Sequence, residues 1–104
     1  MKDSIIVNME YAQYDIIDGN PNTERHHVFG GTANRKLSDE DGLWVPLTKQ
    51  HHTEGEISAH KCNEFQALLH IIGQLAYEKH LVAEGKSESL ARELFRKRYG
   101  RSYL

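Results

Sequence analysis

From about Ala59 to Leu81 the apolar residues Phe65, Leu68, Leu69, Ile72, Leu75 and Ala76 recur at spacings of three and four. That period predicts one long amphipathic helix. The chain has 104 residues. A chain this short buries only roughly 60–65% of the surface it exposes when unfolded, so one modest core and one domain over residues 1–104 are expected. Glu84-Gly85-Lys86 breaks the period, and Ser87 is placed to cap a second helix carrying Leu90, Leu94 and Phe95 on one side.

The front half has a different texture. IIVNMEYAQYDII, residues 5 to 17, shows broken alternation of β-branched and aromatic residues and predicts one or two short strands. DGNPN, residues 18 to 22, is a turn by composition. His27, Val28 and Phe29 read as a short strand ended by Gly30-Gly31. Thr32 to Asp41 is polar and irregular, with Ser38 and the acidic DED after it placed to open a brief helical turn. Gly42 then releases LWVPL, a strand whose Pro46 requires an edge position or a break. Short strands followed by helices make an α+β fold.

Cys62 is the single cysteine, which excludes a disulfide scaffold or a zinc site built on paired thiols. No apolar run approaches the roughly 20 residues of a membrane span, and MKDSIIVNME does not read as a secretory signal; a cytoplasmic location is expected. The net charge of -2 does not point to nucleic acid, although local clustering of charge matters more than the sum.

Five of the seven histidines stand in two pairs and a follower: His26-His27, His51-His52 and His60. His70 and His80 lie inside the amphipathic helices and read as packers or surface residues. The five others flank irregular, glycine-containing segments or begin the long helix. A strand and a helix start can together hold a divalent ion, and neutral imidazole suits zinc, nickel or iron, with manganese or magnesium bound less tightly. A histidine beyond the ligand set can take a proton from water near neutral pH. Metal-assisted hydrolysis is the chemistry these residues predict.

HHVFGG, GLWVPLTKQHH and His60, in this order and spacing, resemble the HNH or His-Me finger nucleases, in particular small phage-encoded members. The likeness runs from about residue 11 through the closing FRKRYGRSYL. It implies a ββα-metal core with a C-terminal helical extension, and hydrolysis of DNA phosphodiesters with a divalent ion (Mg, Mn, Ni or Zn). It implies His27 as general base and His26, His52 and His60 as metal ligands. His51 is the alternative to His52: counting from LWVPL fits His51, while counting back from His60 fits His52, which is favoured. It further implies work in a host cytoplasm beside phage DNA-packaging proteins.

Two features depart from the family pattern. Gly42 stands where the middle asparagine is usual, leaving Asn34 as the nearest asparagine to orient the base. The structural-zinc cysteines are missing. Tyr11 and Tyr14 hold the spacing of the first pair and are expected to replace the cross-link by packing, while Thr48 and His51 stand at the second. Arg35 and Lys36 next to the glycines, with Arg96 and Arg98 in the basic C-terminal stretch, are candidate phosphate contacts. The competing reading is a DNA-binding or assembly module of the same fold that has lost catalysis with its asparagine.

Overall fold

In the computed structural model, which describes residues 2–104, the long helix begins at Asn63, after Cys62, and runs as α2 to Ala83. His60 therefore precedes the helix instead of opening it. α2 buries Phe65, Leu69 and Leu81, while Leu68 and Leu75 of the same apolar period stay exposed. Gly73 faces the core: a Cβ there would stand 2.7 Å from Val28 Cγ1 and 3.0 Å from the Phe29 ring. The missing side chain lets the segment carrying the first histidine pair seat directly on α2. The second helix, α3 (Glu88–Tyr99), starts as expected, with Ser87 Oγ accepting from the Leu90 amide at 3.1 Å. It buries Ala91, Phe95 and Tyr99 and leaves Leu90 exposed.

The sheet is one antiparallel pair, β1 (Glu24–His27) and β2 (Trp44–Leu47), with Glu24 opposite Leu47 and His27 opposite Trp44. The Val28 amide donates to Leu43 O at 3.0 Å just beyond it. Because hydrogen-bonded pairs alternate along an antiparallel ladder, Pro46, opposite Arg25, lies where an N–H would point away from β1. Proline is tolerated there for that reason.

Between the strands lies the main departure from expectation: α1, ten residues from Thr32 to Asp41. Its sequence is nearly all polar because only Ser38 is buried, with Leu37 half-buried, so no apolar period announces it. Ser38 Oγ ties the helix to β1's extension, accepting from the Phe29 amide and donating to Phe29 O, both at 3.1 Å. Gly42 closes α1 in the left-handed region at φ 70°. A Cβ at Gly42 would also collide with the Asp3 carbonyl. An asparagine is sterically excluded there, which accounts for the glycine.

Residues 5 to 17 form no strand. They make a single 3-10 turn at Met9–Tyr11, capped by Asn8, and are tied down by isolated bonds, Ile5 N–H to Gly42 O at the end of α1 and Ile16 N–H to Pro46 O on β2. Tyr11 and Tyr14 are exposed, Tyr11 at 61%, so they do not replace a metal cross-link by packing. Asp15 holds this segment in place instead. Its buried carboxylate accepts from the Ile17 and Asp18 amides through Oδ1, and from the Thr48 amide, Thr48 Oγ1 and His51 Nδ1 through Oδ2. The N-terminal segment is thus pinned to the residues after β2 by hydrogen bonds. Burial pushes this carboxyl up, and the Thr48, His51 and Ile17 bonds together outweigh it and hold Asp15 below its ordinary value.

Candidate metal centre

Strand alternation turns His26 toward the interior, where it is only 6% exposed, and leaves its neighbour His27 on the other side. After β2 the chain makes one wide helical turn, Gln50–Glu54, closed by the Gly55 amide on Gln50 O at 2.8 Å. The segment then doubles back on itself: the Ala59 amide donates to His51 O at 2.8 Å and the His60 amide to His52 O at 3.1 Å. These bonds set His52 and His60 side by side. Their ring centroids are 4.9 Å apart, and each lies 5.2 to 5.5 Å from the ring of His26.

One nitrogen from each of His26, His52 and His60 lies within 4.8 Å of the others. His26 Nε2 is buried and has no hydrogen-bond partner. A buried ring nitrogen without a partner is costly and calls for an acceptor of its lone pair. Burial first, then the neighbouring His52, His60, His27 and His70, pull the His26 pKa down to about 3. His60 is lowered as well, by burial and then by His52. Both are therefore neutral imidazoles at pH 7, the form that ligates a metal. Three convergent imidazole nitrogens fit a divalent ion of the zinc or nickel kind better than magnesium, which prefers oxygen.

The structure separates the second histidine pair. His52 joins the cluster, with its Nδ1 2.9 Å from Glu24 Oε1. His51 turns away to Asp15 at 2.9 Å and lies 3.9 Å from Asp18. Those three residues bring donor atoms together too, but the Asp15 oxygens are already taken up by five hydrogen bonds and serve as a structural clip.

His27 lines the same cavity as His26, His52 and His60, a space of about 480 Å³. Its Nε2 is 3.3 Å from Asp39 Oδ1, on α1. Asn34, the residue expected to orient it, sits in the first turn of α1 and makes no hydrogen bond to His27 among the described residues. Arg35 borders the cavity, and Lys36 lies with His27, Arg35 and Asp39 along its rim. Arg96 and Arg98 do not border this cavity. Arg96 pairs with Glu93 at 3.2 Å, and Arg98 grips both Asp41 oxygens at 2.6 and 2.9 Å and Glu40 at 3.0 Å, fastening α3 to α1.

The two carboxylates that address the histidines of this cavity, Glu24 and Asp39, differ in how readable they were. Glu24 stands two residues before His26, so strand alternation puts both on one face, and that signal was present. Asp39 meets His27 only because α1 exists, and the polar run 32–41 suggested at most a brief turn at Ser38 in place of that ten-residue helix.

An antiparallel strand pair, helices after it and a clustered histidine site with carboxylates behind it constitute an α+β fold matching a ββα-metal core with C-terminal helices. This arrangement is consistent with the His-Me finger, or HNH-like, superfamily fold. No protein-family model, curated protein or solved structure matches the chain. No helix among the described residues is long and apolar enough to cross a membrane.

Proposed function

We propose that this chain is a divalent-metal-dependent endonuclease that hydrolyses DNA phosphodiester bonds, with His27 as its general base. The observation that carries this reading is the unpartnered, buried His26 Nε2 beside His52 and His60, in a cavity that His27 also lines. His26, His52 and His60 would hold the ion, which when bound supplies positive charge to stabilise the developing negative charge on a phosphoryl group. His27 directs Nε2 to Asp39; with the proton on that nitrogen, Nδ1 keeps its lone pair and takes a proton from the attacking water. The Asp39 carboxylate fixes the ring's orientation and stabilises the imidazolium that forms. Asp39 thereby gives the base a partner despite the glycine at position 42, and this favours an active enzyme over a module that has lost catalysis. DNA as the polymer, and recruitment by phage DNA-packaging proteins in a host cytoplasm, follow from the resemblance of HHVFGG…GLWVPLTKQHH to the phage nucleases.

Supercoiled plasmid and a structured RNA, each incubated with Mg, Mn, Ni or Zn and with EDTA, test this reading. Metal-dependent nicking or linearisation of the plasmid, abolished by EDTA, is expected. Retained DNA binding without cutting in any of the metals would sink the proposal in favour of the binding module. Cutting of RNA alone would change the substrate.

A further inference from the structure

We infer that the open N-terminus of α1, together with Arg35, is a subsite for a phosphate group of the nucleic-acid backbone, opening into the same cavity as the three histidines. It deepens the nuclease reading and rests on it for the choice of polymer. α1 begins after Gly31 with no side-chain cap, and the first amides of a helix have no intrahelical acceptor. Thr32, Ala33 and Asn34 find none elsewhere among the described residues; the first amide to be bonded is Arg35, to Gly31 O at 2.9 Å. Three aligned donors at the positive end of a helix dipole make an anion site.

The approach to them is open. Chain neighbours aside, no atom of the described residues lies within 4 Å of where a Cβ would stand on Gly30 or Gly31, so a ligand can come close to the backbone. Gly31, at φ 84°, holds a conformation that side chains rarely adopt and that turns the chain into the helix.

The second observation is what else borders this cavity. Gly30, Gly31, Thr32 and Arg35 line it together with His26, whose buried Nε2 has no partner. Although the chain carries a net charge of -2, no aspartate or glutamate lines the cavity. Glu24 lies behind His52 and Asp39 beside His27, each engaged with a ring nitrogen. A divalent ion on three neutral imidazoles would keep its full charge facing this space, and the helix terminus and guanidinium add more. Such a cavity selects a compact oxyanion, and Arg35 can grip one through two parallel N–H groups.

The test uses the metal-free chain in EDTA, so that histidine-bound metal plays no part, and follows backbone amides by NMR. Two probes are titrated separately: inorganic phosphate, and a DNA trinucleotide without terminal phosphates. Both are expected to shift the Thr32, Ala33 and Asn34 amides. Arg35→Ala should weaken each about tenfold, the scale of one charge-assisted contact. Thr32→Pro removes one donor at a helix position that accepts proline and should weaken binding while leaving the spectrum folded. Shifts by phosphate but not by the trinucleotide would overturn the backbone assignment, and an Arg35→Ala variant titrating like wild type would overturn the subsite. Phosphate binding here by a protein that cuts no DNA would preserve the subsite and end the nuclease reading; cutting with unmoved amides would do the reverse.

Discussion

His52 Nδ1 lies 2.9 Å from Glu24 Oε1, which leaves Nε2 as the ring nitrogen free to face His26 and His60. A carboxylate behind a ligating histidine sets its tautomer and raises its basicity, and losing it typically costs about 10- to 100-fold in metal affinity. Glu24→Ala should therefore weaken zinc or nickel binding by about that factor in calorimetric titration. Glu24→Gln keeps an oxygen able to accept from Nδ1 and should lose less. Equal affinity in wild type and Glu24→Ala would remove Glu24 from the site.

The second histidine pair should divide by function. His52→Ala removes a nitrogen from the cluster and should abolish most metal binding, as should His26→Ala and His60→Ala. His51→Ala should leave the metal titration unchanged and instead lower the urea midpoint, because it strips one partner from a buried carboxylate. A loss of about 1–3 kcal/mol is expected for such an unpaired buried group, tempered by the amides that still reach Asp15. Loss of metal in His51→Ala would mean that the two residues exchange roles on binding.

How much of this was legible beforehand depended on whether apolar periodicity was present. α2 and the Ser87 cap followed from spacing and cap chemistry, although Leu68 and Leu75 fit the period and lie outside the core. The LWVPL strand was likewise readable from residue order, whereas the grouping of His26, His52 and His60 came from the family resemblance, and spacing alone left His51 open as the alternative to His52. α1 was hidden because it buries almost nothing apolar, and the His27–Asp39 contact was hidden with it. The stretch at 5 to 17 misled in the opposite direction: its isoleucines and tyrosines have strand propensity, but Asn8 and Asp15 divert the backbone into turns through side-chain bonds. Asp15 as the anchor of the N-terminal segment was not readable, since its partners Thr48 and His51 are distant in sequence.

Acid should destabilise the metal-free protein through His26. Its folded pKa, near 3, lies below the ordinary value of 6.5, so between these values the unfolded chain binds a proton that the folded chain does not. Stability is therefore full above about pH 6.5 and falls as pH drops toward 3. Urea midpoints in EDTA at pH 7.5 and pH 5 should show this loss. His26→Leu should flatten the slope over the same interval; an unchanged slope would place the titration elsewhere.

Arg98 and Arg35 should behave as opposites. Arg98 is held by Asp41 and Glu40, and Asp41 also accepts from the Tyr99 hydroxyl at 2.6 Å. Arg98→Ala should destabilise the fold by about 1–3 kcal/mol, less than a fully buried pair because the guanidinium is partly exposed, with DNA affinity unchanged in the folded variant. Arg35→Ala should spare stability and weaken DNA binding, with a shallower salt dependence. Denaturant melts and binding measured at several salt concentrations separate the two.

The last prediction concerns the His27–Asp39 pair, 3.3 Å apart. His27→Ala should keep the metal, because its ring is not in the three-histidine cluster, and should lose about 10²–10⁴-fold in turnover as expected for a missing general base. Asp39 acts on water only through His27, so its removal should be milder and should carry a distinct signature. Asp39→Ala frees the imidazole to rotate. kcat should fall while KM for plasmid stays near wild type. Asp39→Asn retains an oxygen acceptor and should recover much of the orientation, and with it much of kcat. If Asp39→Asn and Asp39→Ala are equally impaired, with KM raised as well, Asp39 merely supports α1 and His27 finds its orientation elsewhere. If His27→Ala loses the metal, the base and the ligand have been exchanged within the pair.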